Sequence, residues 1–590
     1  MVVIGAGIGG LATSARIMSG LSDAGQGVEV VVLEKNHRER AGGRCGSFDV
    51  DVNGVGNFRH ERGPSLLLLK DEYARLFADC GVRNQRGSTI AEAGVGTGGG
   101  GEDDDDDDED AAARAYGLET RQCVPAYQVV FDDGDVVPLG FPSSLPGCFS
   151  SDEATTIRDA ERKSMRMLDS MEPGGYAKWR DYLDTCAAYL DCGLPNFIEG
   201  RLDLSSLPRF LRESLRDGGR RWPLAPHSTM LSSLFDSPKL RALASFQDLY
   251  VGLEPYANPR QFGGGVLRKT APAVFGLLAA LELHPSHGRA GVHAPVGGFR
   301  RVSESMAELC RDLGVAVRYG ASVTRVTEDG VHFVYAAEND EAGDRGGTEG
   351  TGRFLAADLI VCNADVPYAT ETILRSETDA NGGRTTGEDD ARSYQETYDW
   401  NDELDYSSGV IAFHWSVSRR LEGLSTHNVF MSANATSDAE RSWAALRGDD
   451  DGGATRTSPM AGTPFNFYVH RAGKTDPTAC PPGCDSIMVL VPCPKLTRDE
   501  RLASLPRDEA IDAYKRQFDR EVVDDARDAV FQRLSLLEGL ENLEDSILDE
   551  VVDTPGSYAD NYNVGAGVPF GLVSSSRVDV AIILLSSGIA

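Results

Sequence analysis

Apolar positions change their spacing from one part of this chain to the next. Met1–Ile4 and Val28–Leu33 are short unbroken apolar runs, the pattern of parallel strands buried on both faces. The stretch between them, around LATSARIMSGL, reads as helix, and Asp71–Gly81 has the spacing of an amphipathic helix. Phe48–Val52 and the segment to Arg62 read as a strand pair. Pro125–Pro138 alternates on either side of Asp133-Gly134, which predicts a hairpin. Ser151–Asp169 and Tyr176–Leu190 are expected to be helical, and the chain stays helix-rich and aromatic to about Leu283. Strands return at Val315–Tyr319, Leu359–Cys362, Ser408–Trp415 and Phe465–His470, ahead of a helix over Arg507–Leu536. Leu66–Leu69 reads as a buried strand or helix start, with a channel wall as the alternative.

Charge narrows the partners. The 590 residues carry 58 Lys and Arg against 91 Asp and Glu, a net charge of −33. No positive field exists to displace counterions from phosphates, so nucleic acid is not an expected partner. Electrostatic docking on an anionic membrane is disfavoured for the same reason, and any membrane contact should be hydrophobic. Nine of the acidic residues form one run, Glu102–Asp110, behind a glycine-rich stretch, and residues 86–114 are expected to be a disordered insertion. Gly343–Gly352, Thr378–Asp390 and Gly448–Gly453 read as similar loop insertions. The eleven cysteines are scattered without a C-x-x-C pair, which suits reduced thiols. No apolar run reaches the length of a membrane span, and the sequence opens inside its first strand with no signal peptide ahead of it.

Candidate chemistry concentrates at the start. Gly5, Gly7 and Gly10 have the spacing G-x-G-x-x-G between a strand and a helix, with Gly9 inside the motif. Gly5 permits a tight turn, Gly7 lets backbone approach a pyrophosphate, and Gly10 lets the helix pack on the strand. The helix N-terminus offers free N–H groups and the positive end of its dipole to the phosphates. Glu34, at the end of the second strand, can accept hydrogen bonds from a ribose diol. Gly42-Gly43-Arg44 follows, placing a second glycine pair and a cation where a diphosphate and flavin would lie, a feature that favours FAD over NAD.

The blocks GAGIGGLAT, LEKN, AGGRCGSF and RGPSLLLL resemble the start of amine oxidase-like flavoenzymes, and within them the phytoene desaturase family. SFQDLYVGLEPYANP, PVGGFRRVSESMAEL, VCNADVPYA, THNVFMS, FYVHRAGKTDPTACPPG and TPGSYADNYN are similar to later blocks of that family, in its order. The resemblance implies an α/β fold: a Rossmann-like FAD-binding domain with a substrate domain of mixed sheet and helices. It divides the chain into a first FAD-binding part at 1–85, the insertion at 86–114 and a helical cap of the substrate domain at 115–290. A second FAD-binding part follows at 291–366, then substrate-domain sheet and helices at 367–552 and a shortened return to the FAD-binding domain from 553 to 590. The family's closing glycine-proline loop has no counterpart after Gly571, which puts FAD retention in question.

The resemblance further implies that Lys35, Gly63-Pro64-Ser65, Val323 and Asn363 join the glycines, Glu34 and Arg44 around FAD. The reaction it implies is desaturation, with an allylic C–H of a long polyene giving hydride to flavin N5, or alternatively cis–trans isomerisation on the same fold. An inactive relative with a binding role is a third reading. Phe246, Tyr250 and Tyr256 are candidates for an aromatic tunnel wall, with ordinary core packing equally open. Gln247 and Glu254 are weak catalytic candidates, since Glu254 could take the departing proton or serve only as a cap or structural ion pair. His414 could line the sheet face of the pocket or be a satisfied core histidine. No metal is expected. Quinone or oxygen would accept the electrons, and a monotopic membrane contact is expected through apolar helices such as Ala273–Leu283. In a photosynthetic eukaryote the location would be a plastid membrane; otherwise it would be the cytoplasmic face of a membrane.

Overall fold

Four three-residue strands build the first sheet of the computed structural model, which describes residues 1–23, 27–81, 102–145, 149–200, 202–251, 271–335, 352–374, 405–432, 466–496, 507–518 and 520–573. Their order is Ile360–Cys362, Val2–Ile4, Val31–Leu33, Ala316–Arg318, and every pairing is parallel. Val2 stands opposite both Ile360 and Val31, so strands far apart in the chain close one core. The glycine-loop helix Ile8–Asp23, the helix Arg300–Asp312 and the helix Lys70–Cys80 cover this sheet through Leu11, Phe77, Val302 and Leu309.

A second sheet of seven strands forms the other half. Its order is Ile547–Asp553, Gly409–Val417, Asp485–Cys493, Phe467–Arg471, His427–Met431, Tyr127–Phe131, Val136–Leu139. All neighbours are antiparallel except His427–Met431 with Tyr127–Phe131. Side chains of successive strand residues go to opposite faces. Phe413, Trp415 and Val469 face the helix Arg520–Leu534, while Tyr468 and Met488 face the helices Ser151–Met171, Gly175–Gly193 and Leu277–Leu283. A hairpin of Ser47–Val52 and Gly56–Glu61 joins the halves: Ser486 Oγ donates to the Arg59 carbonyl at 2.5 Å, and Arg59 Nη2 meets Asp476 at 2.5 Å.

Three expectations are corrected. The acidic run is not disordered along its length, because Glu102–Ala115 is an α-helix. Its last turns are held from outside the run: Ala112, Ala113 and Tyr116 enter the core beside Phe77, and Lys70 pairs with Asp110 at 3.0 Å. Residues 86–101 lie outside the described residues, as do Thr378–Asp390, Gly448–Gly453 and most of Gly343–Gly352. The second correction concerns Ala273–Leu283. This segment is a short 3-10 turn and helix buried from Leu277 through Leu283 against Gly175–Gly193, with no face left for lipid. Its apolarity serves the protein's own core. The long helix expected over Arg507–Leu536 is two helices, Arg507–Lys515 and Arg520–Leu534.

Candidate functional site

The glycine loop is shaped by backbone conformation at Gly5 and by close contacts at Gly9 and Gly10. Gly5 has φ +96°, a left-handed conformation that a Cβ disfavours. A Cβ on Gly10 would lie 2.1 Å from the Gly5 carbonyl oxygen, so the helix can approach the strand only with glycine there. At Gly9 a Cβ would lie 2.8 Å from Asn363 Oδ1, whereas at Gly7 its nearest neighbour would be Asn363 Nδ2 at 3.5 Å, an ordinary contact. Asn363 thus lies over the loop from the end of the neighbouring parallel strand. Gly42 and Gly43 have φ of +99° and +61°, and Gly43 comes against Gly7.

Glu34 is buried at the end of its strand. Its Oε2 accepts from the Ala6 N–H at 2.8 Å and its Oε1 from the Asn36 N–H at 2.9 Å, so it fixes the loop while keeping lone pairs for further donors. A glycine cradle crowded at Gly9 and Gly10 and open at Gly7, beside a helix N-terminus and an anchored carboxylate, fits a dinucleotide. Lys35 and Arg44 turn elsewhere, toward the C-terminal segment. Lys35 Nζ donates to Asn563 Oδ1 at 2.9 Å and to the Asp560 carbonyl at 3.2 Å, and burial pulls its pKa down. Arg44 donates to the Pro569 carbonyl at 2.5 Å. Asp365, two residues beyond Asn363, accepts from the Gly565 N–H at 3.0 Å. Val323 is a core residue of the antiparallel sheet beside the second parallel strand.

Gly63-Pro64-Ser65 runs from the hairpin onto the face of the seven-stranded sheet. Ser65 Oγ lies 2.7 Å from Tyr468 Oη, which lies 2.6 Å from His427 Nδ1. The His427 ring stacks on His470 at 5.3 Å. In the ladder His427 opposes His470, His470 opposes Met488 and Met488 opposes His414, which sets three imidazoles in one cross-strand row. His414 is fully buried, edge-on to Phe48 at 5.0 Å and 5.8 Å from His60. Its Nε2 is 3.4 Å from an Asp553 carboxylate oxygen, but neither ring nitrogen makes a hydrogen bond. Burial drives His60 and His427 well below the usual histidine range and His470 to about 3, so all three are neutral at pH 7. Sequence reading named only His414. The signal for the others was a polar residue at every second position of an apolar strand, as at Tyr468 and His470.

Of the tunnel candidates, Phe246 is buried and meets Tyr127 edge-on at 5.1 Å. Tyr250 falls in the same 3-10 turn, Phe246–Val251, whereas Glu254 and Tyr256 lie outside the described residues. Gln247 is buried, and neither its amide nitrogen nor its oxygen has a partner. Facing it is a carboxyl that sequence reading passed over. Glu282, on the apolar helix Leu277–Leu283, is 2% exposed. Burial pushes its pKa up to about 8, while the nearby Tyr127 hydroxyl and Gln247 amide pull it down without closing a hydrogen bond to either oxygen.

A Rossmann sheet, a glycine cradle and an anchored acidic strand end define a dinucleotide-binding fold. Residues 3–80 match the family model of the NAD(P)-binding Rossmann-like domain. The relatives are phytoene desaturases. The chain is 26% identical to the zeta-carotene-forming phytoene desaturase of Myxococcus xanthus, over 97% of this chain and 84% of that protein. It is 25% identical to the phytoene desaturase of Fusarium fujikuroi over 98% and 80%, respectively. The 4,4'-diapophytoene desaturase of Staphylococcus aureus strain MRSA252 is 23% identical over 97% and 88%. The resemblance read from the sequence blocks therefore extends along nearly the whole chain, and these findings support FAD as the cofactor.

Two substitutions separate a ligand role for the glycines from a folding role. Gly7→Ala meets only an ordinary contact, so the thermal midpoint should hold while bound flavin falls on the order of tenfold, measured by visible absorbance after purification. Gly10→Ala should lose both flavin and stability, because its Cβ overlaps a backbone oxygen. A flavin content in Gly7→Ala equal to wild type would remove the pyrophosphate from this loop.

Glu282 gives a pH prediction of definite sign. Its folded pKa, about 8, lies above the ordinary glutamate value of 4.5, so between those limits the folded chain holds a proton that the unfolded chain has released. Its contribution to stability therefore falls as pH rises from about 4.5 to 8. Glu282→Gln should relieve that cost, raising the thermal midpoint more at pH 8 than at pH 5, by roughly a few kcal/mol at most. Midpoints followed by circular dichroism across this range would show it.

Proposed function

We propose that this chain is an FAD-dependent carotenoid desaturase that removes hydrogen pairs from a long polyene such as phytoene. The observation that carries the reading is the near end-to-end likeness to phytoene desaturases, joined to a glycine cradle with room for a dinucleotide. FAD, when bound, supplies the hydride acceptor for an allylic C–H. Gly5, Gly7, Gly9, Gly10, Gly42 and Gly43 would bring backbone to the diphosphate, with Glu34 toward the ribose and Asn363 over the loop. Ser65, Tyr468 and the neutral histidines would form the polar floor beside the flavin ring. The helical core around Phe246, Tyr127 and Leu278 would hold the hydrocarbon away from water. Quinone or oxygen would take the electrons onward.

A hydrocarbon substrate resides in lipid, so the enzyme needs a route to a bilayer. No described helix is long and apolar enough to cross one. Half of the exposed large apolar side chains among the described residues fall between 197 and 224. They include Leu202 at 78% and Leu215 at 63% exposure, with Phe197, Leu204, Leu211, Trp222 and Leu224. The helix Leu207–Ser214 lies within this stretch, and Arg209, Arg212 and Arg216 lie along it. Leucine, an amphipathic tryptophan and arginines suit the headgroup boundary, where monotopic contact buries the apolar side chains.

Incubation of flavin-loaded protein with phytoene in liposomes should yield products lighter by whole hydrogen pairs and absorbing in the visible. A product of unchanged mass would identify an isomerase, and unchanged phytoene would end the desaturase reading. For the membrane, wild type should float with neutral phosphatidylcholine vesicles. Leu202→Glu with Leu215→Glu should weaken that partitioning by about tenfold or more, since each buried leucine is worth roughly 1.5–3 kcal/mol. Leu359→Glu, at an exposed leucine elsewhere, is the control and should float as wild type. Equal flotation of the double variant and wild type would remove the membrane from this surface.

A further inference from the structure

Desaturation releases a proton as well as a hydride. Among the described residues of the helical core beside the sheet, Glu282 is the buried carboxyl with neither oxygen partnered. Glu282 sits in Leu277–Leu283 among Leu278, Leu281 and Leu283, with both carboxylate oxygens unpartnered. A carboxyl buried without partners costs stability, and a core leucine would avoid that cost. Facing it is Gln247, also buried and unpartnered, so two polar groups look into one apolar space without satisfying each other. Packed side chains connect it to Ser65. Tyr127 meets Phe246 at 5.1 Å and His427 at 5.8 Å, His427 meets Tyr468, and Tyr468 reaches Ser65.

We propose that Glu282 is the proton acceptor of the desaturation, with Gln247 orienting its carboxylate. The inference rests on the desaturase reading above. One C–H bond of the polyene breaks with its electron pair leaving as hydride to the oxidised flavin. The C–H bond on the adjacent carbon breaks with its pair forming the new C=C bond, and its proton forms an O–H bond on Glu282. That proton is lost to water when product leaves. The titratable groups facing Glu282 are the phenols Tyr127 and Tyr468, and burial pushes Tyr468 up. Asp248, next to Gln247, is engaged through one oxygen by His227 Nδ1 at 2.7 Å, and its other oxygen is buried without a partner. Among the described residues no cation acts on the carboxyl. With a pKa of about 8, its ionised fraction rises about tenfold between pH 7 and pH 9.

Two measurements on flavin-loaded full-length protein test this. The first uses a long-chain alkyl trimethylammonium ion, a hydrocarbon with a positive head, and follows its binding by intrinsic fluorescence. Wild type should bind it about tenfold more tightly at pH 9 than at pH 7. Glu282→Gln, of equal size and unable to ionise, should bind it weakly and without pH dependence, with flavin content unchanged. The second is anaerobic bleaching of the flavin by phytoene in a single turnover. Its rate should rise with pH through about 8 in wild type. In Glu282→Gln it should fall by roughly 10²–10⁴-fold and lose its pH dependence. Wild-type bleaching rates in Glu282→Gln, or cation binding indifferent to pH in wild type, would overturn the proposal. A wild type that binds the cation with the expected pH dependence but never bleaches with phytoene would instead overturn the desaturase reading and retain Glu282 in the hydrocarbon site.

Discussion

One tight approach governs the nucleotide side: the first helix meets the first strand where a Cβ on Gly10 would lie 2.1 Å from the carbonyl oxygen of Gly5. Everything on the nucleotide side depends on it. The approach sets the helix N-terminus in line with the strand end, brings Gly7 under Gly43 and leaves Asn363 poised over the loop. It also fixes where Glu34 can reach, because the carboxylate is tied to the Ala6 N–H within the same turn. A single methyl group at position 10 would separate these parts together.

The two halves divide the work by their solvent. The parallel sheet presents backbone donors and a carboxylate, groups suited to a charged, hydrated cofactor. The seven-stranded sheet faces an apolar helical layer whose buried polar groups include the neutral His427 and His470, the phenols of Tyr127, Tyr182, Tyr189 and Tyr468, the Gln247 amide and the carboxyls of Asp248 and Glu282. The hairpin Ser47–Glu61 region joins them through charge. Arg59 meets Asp476, Asp476 accepts from the Gly297 N–H at 2.7 Å, and Glu61 accepts from the Phe299 N–H at 3.0 Å. These contacts pin the start of the helix Arg300–Asp312 to both sheets, so the cofactor loops and the hydrocarbon core hold a fixed relation.

Much of this architecture could be read from the chain because glycine spacing and short apolar runs have few structural solutions. The parallel strands at Val2, Val31 and Ile360 and the hairpin at Gly134 follow directly from such patterns. Tertiary packing decided what the patterns left open. The acidic run Glu102–Asp110 repels itself, yet the alanines behind it dock on Phe77 and carry it into a helix. Ala273–Leu283 is apolar, but apolarity does not say what covers it, and here Gly175–Gly193 does. Glu282 drew no reading from the sequence, because only the fold shows a carboxyl enclosed in the helical core. Lys35 follows a motif that suggests the cofactor, while its side chain binds Asn563 more than five hundred residues away, a partner that local spacing cannot reveal.

The net charge of −33 acquires a role once the exposed leucines between 197 and 224 are considered. A bare apolar surface ordinarily brings copies of a protein together in water. Here every encounter between copies sets two strongly negative bodies against each other, with repulsion reaching about 8 Å at physiological salt. The apolar stretch itself carries arginines, so the repulsion originates elsewhere on the body and keeps that surface from being covered by its own kind. Colloidal self-avoidance would thus keep the surface open to the uncharged bilayer proposed for it.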